Sequence, residues 1–358
     1  MIEFVRSENL KVGDIIEKPL YDEKCRILMK AGNPLTQTAI RLIKQNGYKG
    51  IYIENNDSLR RELIPIAEPL IDELQQLKLM NLLKDIYQNK NISRDFFDKQ
   101  FMVHKKQLHD FLEEMIDALV QAEREGRLLF EIEDSRNAGT WIFYHSISVC
   151  LLSIGIAIKF GKSKPEIMDI ALGAIYHDLG KGWFPDDLVN RVGLSESERR
   201  QLRAHPEKMF RFLQKHNYPV ATLYGVWQHH EKINGTGYPQ QLKGDKIVES
   251  ARIISCANVY DNMINKNPYE GESFYQEDAI EYLSANAELD MNCLKALLQI
   301  VVPYPVGTRV YLSNTQQGVV VKNNVGMPLR PILIVNKELV YLNQDERYRN
   351  VTICNIIR

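Results

Sequence analysis

The feature that most constrains the fold of this 358-residue chain is an almost entirely apolar run from Trp141 to Phe160. A run of this length is barely long enough to cross a bilayer, and it can equally form the central helix of a protein core. It contains His145, three serines and Lys159, which are polar groups that lipid solvates poorly. We therefore predict a buried core helix and no membrane span.

Composition narrows the classes of function. The chain has 45 basic and 46 acidic side chains and a formal net charge of −1, without the basic excess of a nucleic-acid or membrane-surface binder. We expect no nucleic-acid polymer among its partners. The five cysteines are scattered and form no CxxC pair, a pattern typical of reduced thiols. With no secretory signal pattern at its beginning, the chain is expected to be cytoplasmic.

Hydrophobic periodicity predicts a mainly α fold in which a helical domain is flanked by two small modules. The first segment has short extended runs and one helix capped by Thr36, which indicates an α+β module. The second contains amphipathic helices within 69–125, which pack either on the rest of the chain or on a second subunit as a homodimer. The third is helical, and the last has the period of two of a β module. The four segments are 1–57, 58–130, 131–300 and 301–358, and the strands predicted in the last are 309–312, 318–322, 331–336, 339–342 and 351–356.

Five of the eight histidines fall in the helical segment in a pattern typical of a metal site. Imidazoles and a carboxylate are ligands for Zn, Mn, Fe and similar divalent ions, and a carboxylate can bridge two of them. Any one buried histidine is more often an ordinary core residue, but five buried histidines without a ligand would be costly. The sequence therefore predicts a metal site. Its candidate ligands are His145, His177, Asp178, His205, His229 and His230.

Three motifs in this segment resemble those of the HD-GYP family, the bacterial cyclic di-GMP phosphodiesterases. Residues His177–Lys181, which read HDLGK, are similar to the HD signature. Residues His229–Pro239, which read HHEKINGTGYP, resemble the second signature. Residues Arg252–Asp261, which read RIISCANVYD, resemble the segment that follows it. The resemblance runs from about His145 to Tyr269, in the correct order and with similar spacing.

The resemblance implies a metal phosphohydrolase that cleaves a cyclic dinucleotide, cyclic di-GMP above all, to pGpG or GMP. It implies two divalent ions (Fe, Mn or Zn) and an attack on the phosphate by a hydroxide that bridges them. Asp178 and Lys181 would be the catalytic residues, with Lys181 facing the scissile phosphate. The implied ligands are His145, His177 and Asp178 for the first ion, with Asn258 beside them, and Asp178, His205, His229 and His230 for the second. The implied substrate-binding residues are Lys181, Gly237, Tyr238 and Asn267.

Several positions depart from the family pattern. Asn258 replaces an aspartate ligand, and a neutral oxygen binds a cation less tightly. Trp141 stands where some members have a glutamate for a third metal, so we expect two metals at most. Asn267 replaces an arginine that helps to bind the nucleotide, and it lacks a bidentate fork. Asn234 replaces an aspartate that shapes a turn. These departures leave two alternatives open: a degenerate, non-catalytic regulatory or nucleotide-binding protein, and another HD nucleotide phosphohydrolase.

Overall fold

The structure is a computed structural model. It describes residues 2–21, 26–46, 48, 50–54, 70–71, 73–88, 94–130, 141–189, 191, 193–265, 274, 276–285 and 287–357. The chain divides into two compact units. One comprises Met1–Pro69, Leu129–Asn137 and Val301–Arg358, and the other comprises Leu70–Leu128 and Ala138–Ile300. The predicted fold class, a helical domain with small strand-containing modules towards both ends of the chain, is confirmed. The predicted division into four segments stays a prediction.

The unit formed by Leu70–Leu128 and Ala138–Ile300 is helical. Its described helices are α2 (Glu73–Gln88), α3 (Arg94–Arg124), α4 (Trp141–Lys159), α5 (Lys164–Tyr176), α6 (Asp186–Val189), α7 (Glu196–Leu202), α8 (His205–Lys215), α9 (Val220–Gln228), α10 (Glu249–Ile264), α11 (Gln276–Ser284) and α12 (Met291–Leu298). A 3-10 turn, Leu179–Trp183, follows α5.

Helix α4 is the centre of this unit, because it packs against both α5 and α10, and α5 packs in turn against α9. Among the described helices, Trp141–Lys159 alone is long and apolar enough to cross a membrane, and 83% of its apolar window is buried inside the protein. Such burial is expected of a core helix, as predicted for this segment. Helices α2 and α3 pack against α4, and α3 also packs against α5. These helices therefore pack on the rest of the chain, which is one of the two predicted alternatives. The other alternative, a homodimer formed through them, stays a prediction.

Local capping signals determine where the helices around the histidines begin. Ser163 precedes α5, and its backbone N–H donates to Glu166 at 2.9 Å. Ser195 precedes α7 and forms the reciprocal pair with Glu198, with distances of 2.8 Å and 3.3 Å between backbone nitrogen and side-chain oxygen. Such capping boxes satisfy N–H groups that the first helical turn leaves without a partner. The two helices that begin at these boxes run to Tyr176, just before the His177–Asp178 pair, and to Leu202, three residues before His205.

The other unit contains the strands. Its elements are β1 (Ile2–Arg6), β2 (Ile15–Ile16), β3 (Leu20–Tyr21), β4 (Ile27–Met29), α1 (Gln37–Gln45), β5 (Gly50–Glu54), β6 (Arg309–Leu312), β7 (Gln317–Lys322), β8 (Ile332–Val335), β9 (Glu338–Tyr341) and β10 (Ile353–Ile356). The sheets are β1-β5-β2, β3-β4 and β10-β6-β7-β8-β9, and all their paired strands are antiparallel. Thr36 caps α1 as predicted, by accepting from the Ala39 N–H at 3.1 Å. Strands β6 to β10 lie within two residues of their predicted bounds.

Candidate metal centre

The first group of ligand atoms lies where α4 meets the end of α5. His145 Nε2 is 3.1 Å from His177 Nε2, and both nitrogens are 3.6 Å from Asp178 Oδ2. All three residues are buried. Atoms that share one metal ion at a bond length near 2.1 Å are separated by roughly 3.0–3.4 Å in octahedral or tetrahedral geometry. The observed spacing is therefore close to that of ligands around a single ion.

The second group uses the other carboxylate oxygen of the same aspartate. Asp178 Oδ1 lies 3.1 Å from His205 Nε2 and 3.9 Å from His229 Nε2. His230 completes this group, whose ligand atoms all lie within 4.8 Å of one another. Asp178 Oδ1 and the Nε2 atoms of the three histidines are buried and have no hydrogen-bond partner among the residues that the structure describes. Such convergence of unsatisfied acceptors is unfavourable unless a cation satisfies them, so the donor set fits a divalent metal.

The orientation of three of the imidazoles is determined by the ends of helices. In each case Nδ1 donates to the backbone carbonyl three residues earlier, in the last turn of a helix, where carbonyls lack a helical partner. This bond selects the tautomer that directs the Nε2 lone pair towards the ligand group. The pairs are His177 with Ala174 at 2.6 Å, His205 with Leu202 at 2.6 Å, and His229 with Val226 at 2.7 Å.

The charge states of these ligands also suit a cation. Burial lowers the pKa of His177 to about 4 and lowers the pKa of His205, His229 and His230, so these imidazoles are neutral near pH 7 and their Nε2 atoms can bind a metal. Burial alone would raise the pKa of Asp178, but the neighbouring ammonium of Lys181 holds it well below its usual range. The aspartate is therefore an anion.

Lys181, a predicted catalytic residue, lies beside the first group. Its Nζ donates to Asp178 Oδ2 at 2.6 Å and lies 5.5 Å from the centre of the Trp141 ring. The Trp141 ring is also 5.9 Å from the His145 ring. At position 141 an aromatic ring therefore packs against a candidate ligand and a lysine. The limit of two metals and the contact of Lys181 with phosphate stay predictions.

Asp261 has no role that the sequence alone predicts. Its Oδ2 accepts from His145 Nδ1 at 2.6 Å, and its Oδ1 accepts from Asn265 Nδ2 at 3.0 Å. All three side chains are buried. A carboxylate behind a metal-binding imidazole fixes the orientation of the ring and raises the basicity of its other nitrogen. The available sequence signal was the spacing of Asp261 from Asn258, since residues three apart lie on one face of α10.

Asn258 is buried on α10, and its Oδ1 accepts from Asn262 Nδ2 at 2.9 Å. The oxygen that would serve as a metal ligand therefore already has a side-chain partner one helical turn away. Its role as a ligand stays a prediction. Asn267, the predicted nucleotide contact, lies outside the described residues.

The glycine–tyrosine loop closes back onto His230. At Gly237 a side chain is excluded, because a Cβ would lie 2.5 Å from both the Glu231 Cα and the His230 carbonyl oxygen. The Tyr238 N–H donates to that same oxygen at 3.1 Å. The Tyr238 ring stacks on the His230 ring with 4.5 Å between centroids and an interplanar angle of 24°. Both residues thus hold the loop against a candidate ligand, and their contact with substrate stays a prediction.

Glu231 follows the two candidate ligand histidines, and its side chain stabilises the loop. Its two carboxylate oxygens accept from the backbone N–H groups of Gln240 at 2.6 Å and Leu242 at 3.0 Å. Asn234 Oδ1 accepts from the Thr236 N–H at 3.0 Å, which is the turn-shaping contact expected from sequence.

Gly180 permits the close approach of the two segments that carry Asp178 and His205. A Cβ there would overlap the His205 carbonyl oxygen and lie 3.2 Å from Met209 Cβ. We expect Gly180→Ala to displace the start of α8 and to lower metal affinity at the second group by about 10- to 100-fold, with a loss of about 1–3 kcal/mol in stability. Metal titration and thermal unfolding would measure both effects.

The matched control is Gly173→Ala on α5, where the added Cβ would meet the flexible tip of Ile254 at 3.0 Å. A side-chain methyl group can shift, whereas a backbone carbonyl is held by its helix. Equal losses of metal affinity in both variants would contradict the role assigned to Gly180.

The chain is similar to a protein-family model and to several known proteins. Residues 137–292 match the family model described as HD domain. A cyclic di-GMP phosphodiesterase of Pseudomonas aeruginosa is 30% identical over 211 residues, 58% of this chain and 51% of that protein. A cyclic di-GMP phosphodiesterase response regulator of Xanthomonas campestris is 34% identical over 150 residues, 40% of this chain and 39% of that protein. A 3′3′-cGAMP-specific phosphodiesterase of Vibrio cholerae is 31% identical over 157 residues, 43% of this chain and 34% of that protein.

The chain thus spans about half the length, or less, of these relatives. The family match includes both groups of ligand atoms, Asp261 and the glycine–tyrosine loop.

Proposed function

We propose, on the premise that residues 137–292 of this chain are an HD domain of the HD-GYP type, that the chain is a metal-dependent phosphodiesterase acting on a cyclic dinucleotide. Cyclic di-GMP is the leading substrate, with pGpG or GMP as product. The observation that carries the proposal is that Asp178 turns one carboxylate oxygen to each of two groups of histidine nitrogens. The relatives named above support the substrate class.

Two divalent ions, Fe, Mn or Zn, are the proposed cofactors. His145, His177 and Asp178 would hold the first, and Asp178, His205, His229 and His230 the second. Such ions, when bound, draw charge from a phosphodiester and make water a stronger nucleophile near neutral pH.

The protein's own groups prepare the site for an anionic substrate. Asp178 stays ionised and is common to both ligand groups. Lys181 places a cation 2.6 Å from Asp178 Oδ2, so a phosphate bound at the ligand groups would have this ammonium within reach. Negative charge that develops on the phosphate oxygens during hydrolysis is then offset by a fixed positive group. Cleavage adds water across the bond between phosphorus and a ribose 3′ oxygen, which leaves a linear dinucleotide.

The test is a substrate panel with protein reconstituted anaerobically with Fe or Mn. Cyclic di-GMP, 3′3′-cGAMP and cyclic di-AMP represent the proposed class, and nucleoside mono- and triphosphates represent another HD phosphohydrolase. We expect hydrolysis of a cyclic dinucleotide and none of the linear nucleotides. Cleavage of linear nucleotides alone would replace the proposal with the alternative phosphohydrolase.

One observation favours the non-catalytic alternative. Asn258 Oδ1, the oxygen that would bind a metal, accepts a hydrogen bond from Asn262 Nδ2. We expect Asn258→Asp to raise the rate of cyclic di-GMP hydrolysis and metal retention at the first group by about 10- to 100-fold, because a carboxylate binds a divalent cation more tightly than an amide does. Chromatography of the products and elemental analysis after exposure to a chelator would measure the two effects.

Asn234→Asp is the matched control, because it adds the same charge at an exposed turn. A variant Asn258→Asp that holds two metals yet cleaves no cyclic dinucleotide would establish the non-catalytic alternative.

A further inference from the structure

An arginine stands at the outer edge of the second ligand group. Arg203 lies two residues before His205, in the short connection between α7 and α8. Its guanidinium carbon is 5.5 Å from the centre of the Tyr238 ring, and that ring is stacked on His230. Arg203, Tyr238 and His230 therefore form a stack that leads from the ligand group outwards.

Arg203 is the exposed member of this stack. His230 and Tyr238 are partly buried, whereas the side chain of Arg203 is 52% exposed. The guanidinium is therefore accessible to a molecule that approaches the ligand groups from solvent. A cation over an aromatic face gains about 0.5–1 kcal/mol at exposed sites, which favours positions of the arginine above Tyr238 without fixing it there.

A structural role for Arg203 is weakly supported by its contacts. Its Nη1 is 4.0 Å from Glu196 Oε1, and the Glu196 side chain is 64% exposed. Exposed ion pairs of this length contribute about 0–1 kcal/mol. The pair with Glu196 therefore gives little reason for an arginine at this position.

The chemistry of a cyclic dinucleotide supplies a better reason. Such a molecule has two phosphodiesters and two bases, and the ligand groups can take only the scissile phosphate. A guanidinium fork binds a pair of acceptors, either two phosphate oxygens or the N7 and O6 atoms of guanine. Lysine has no such fork.

We infer that Arg203 is a substrate-binding residue that donates its fork to a pair of acceptors on the cyclic dinucleotide beyond the scissile phosphate. The inference rests on the proposed function. Tyr238 contacts both His230 and the guanidinium, so one aromatic ring separates the arginine from the second ligand group.

The experiment compares Arg203→Ala and Arg203→Lys with the wild-type protein, all loaded with metal. Loss of a charged hydrogen-bonding group should raise KM for cyclic di-GMP by about 10- to 100-fold, with kcat changed by less than about threefold. Arg203→Lys should recover only part of the loss. Arg200→Ala is the matched control, because Arg200 is an exposed arginine in α7.

Bis(p-nitrophenyl) phosphate separates binding from damage to the metal centre, since it offers a scissile diester without a second phosphate or a base. Its hydrolysis and the number of bound metals should be unchanged in Arg203→Ala. An equal loss with this substrate, or an unchanged KM for the cyclic dinucleotide, would overturn the inference.

Cyclic di-AMP identifies the acceptor pair. A larger increase of KM for cyclic di-GMP than for cyclic di-AMP would assign the fork to guanine, and equal increases would assign it to the phosphate. If the wild-type protein cleaves bis(p-nitrophenyl) phosphate but no cyclic dinucleotide, the proposed function itself fails and takes this inference with it. If it cleaves cyclic di-GMP and Arg203→Ala does so equally well, the inference alone fails.

Discussion

Replacement of Asp178 by asparagine is expected to lower cyclic di-GMP hydrolysis by about a thousandfold or more and to reduce the bound metal to one equivalent or none. Asp178 is the residue that both ligand groups share, with Oδ2 turned to the first group and Oδ1 to the second. It is also an anion in a buried cluster of neutral imidazoles. An amide of the same shape offers one oxygen in place of two and no charge, so both ions would lose a ligand or its charge.

The measurement combines elemental analysis of reconstituted protein with the rate of product formation. Asp187→Asn is the matched control, since Asp187 is an exposed carboxylate on the nearby helix α6. Circular dichroism would establish that both variants keep their helices. Full activity in Asp178→Asn, with two metals bound, would remove the basis of the proposed function.

The second large effect is expected from Asp261→Asn, which should weaken metal binding at the first group by about 10- to 100-fold and leave the second group loaded. The Asp261 carboxylate accepts from His145 Nδ1 at 2.6 Å, and so directs His145 Nε2 towards His177 and Asp178. An asparagine can hold the ring only with a neutral oxygen, and it can also present its NH₂ group. His145 would then be a weaker and less well oriented ligand.

Titration against a competing chelator would resolve the two affinities, and one equivalent of metal should survive conditions that leave two on the wild-type protein. Asn265→Ala is a graded variant, because it removes the hydrogen bond to the other oxygen of Asp261 and leaves the one between Asp261 and His145, and it should have a smaller effect. Asp245→Asn is the control, since the Asp245 side chain is 99% exposed. Equal weakening of both metals would indicate that Asp261 supports the packing of α10 rather than His145 in particular.

Much of the fold could be predicted because its signals are local. The alternation of apolar residues in the last segment predicted the strands from β6 to β10, and Thr36 predicted the start of α1. The apolar run in α4 predicted burial, because such a face has no stable position in water. Each of these signals comes from residues within one element and its immediate neighbours.

The candidate site could be predicted only in part. The ligand histidines could be named because they stand in short motifs, and the resemblance supplied their order. The pair of His145 and Asp261 could not be predicted from spacing, because the two residues are separated by 116 positions and meet only through the packing of α4 against α10. Likewise, no local sequence pattern predicts that Gly180 leaves room for the His205 carbonyl, or that Asn262 donates a hydrogen bond to the Asn258 oxygen.

The sequence by itself determined the types of element, the burial of α4 and the residue types offered to a metal. The tertiary structure alone decided which atoms of those residues converge, so that His145 Nε2 and His177 Nε2 lie 3.1 Å apart across 32 positions and Asp178 faces two groups at once. The physical reason is that periodicity and capping depend on contacts within a few residues. Ligand geometry depends instead on how separate helices pack, to within fractions of an ångström.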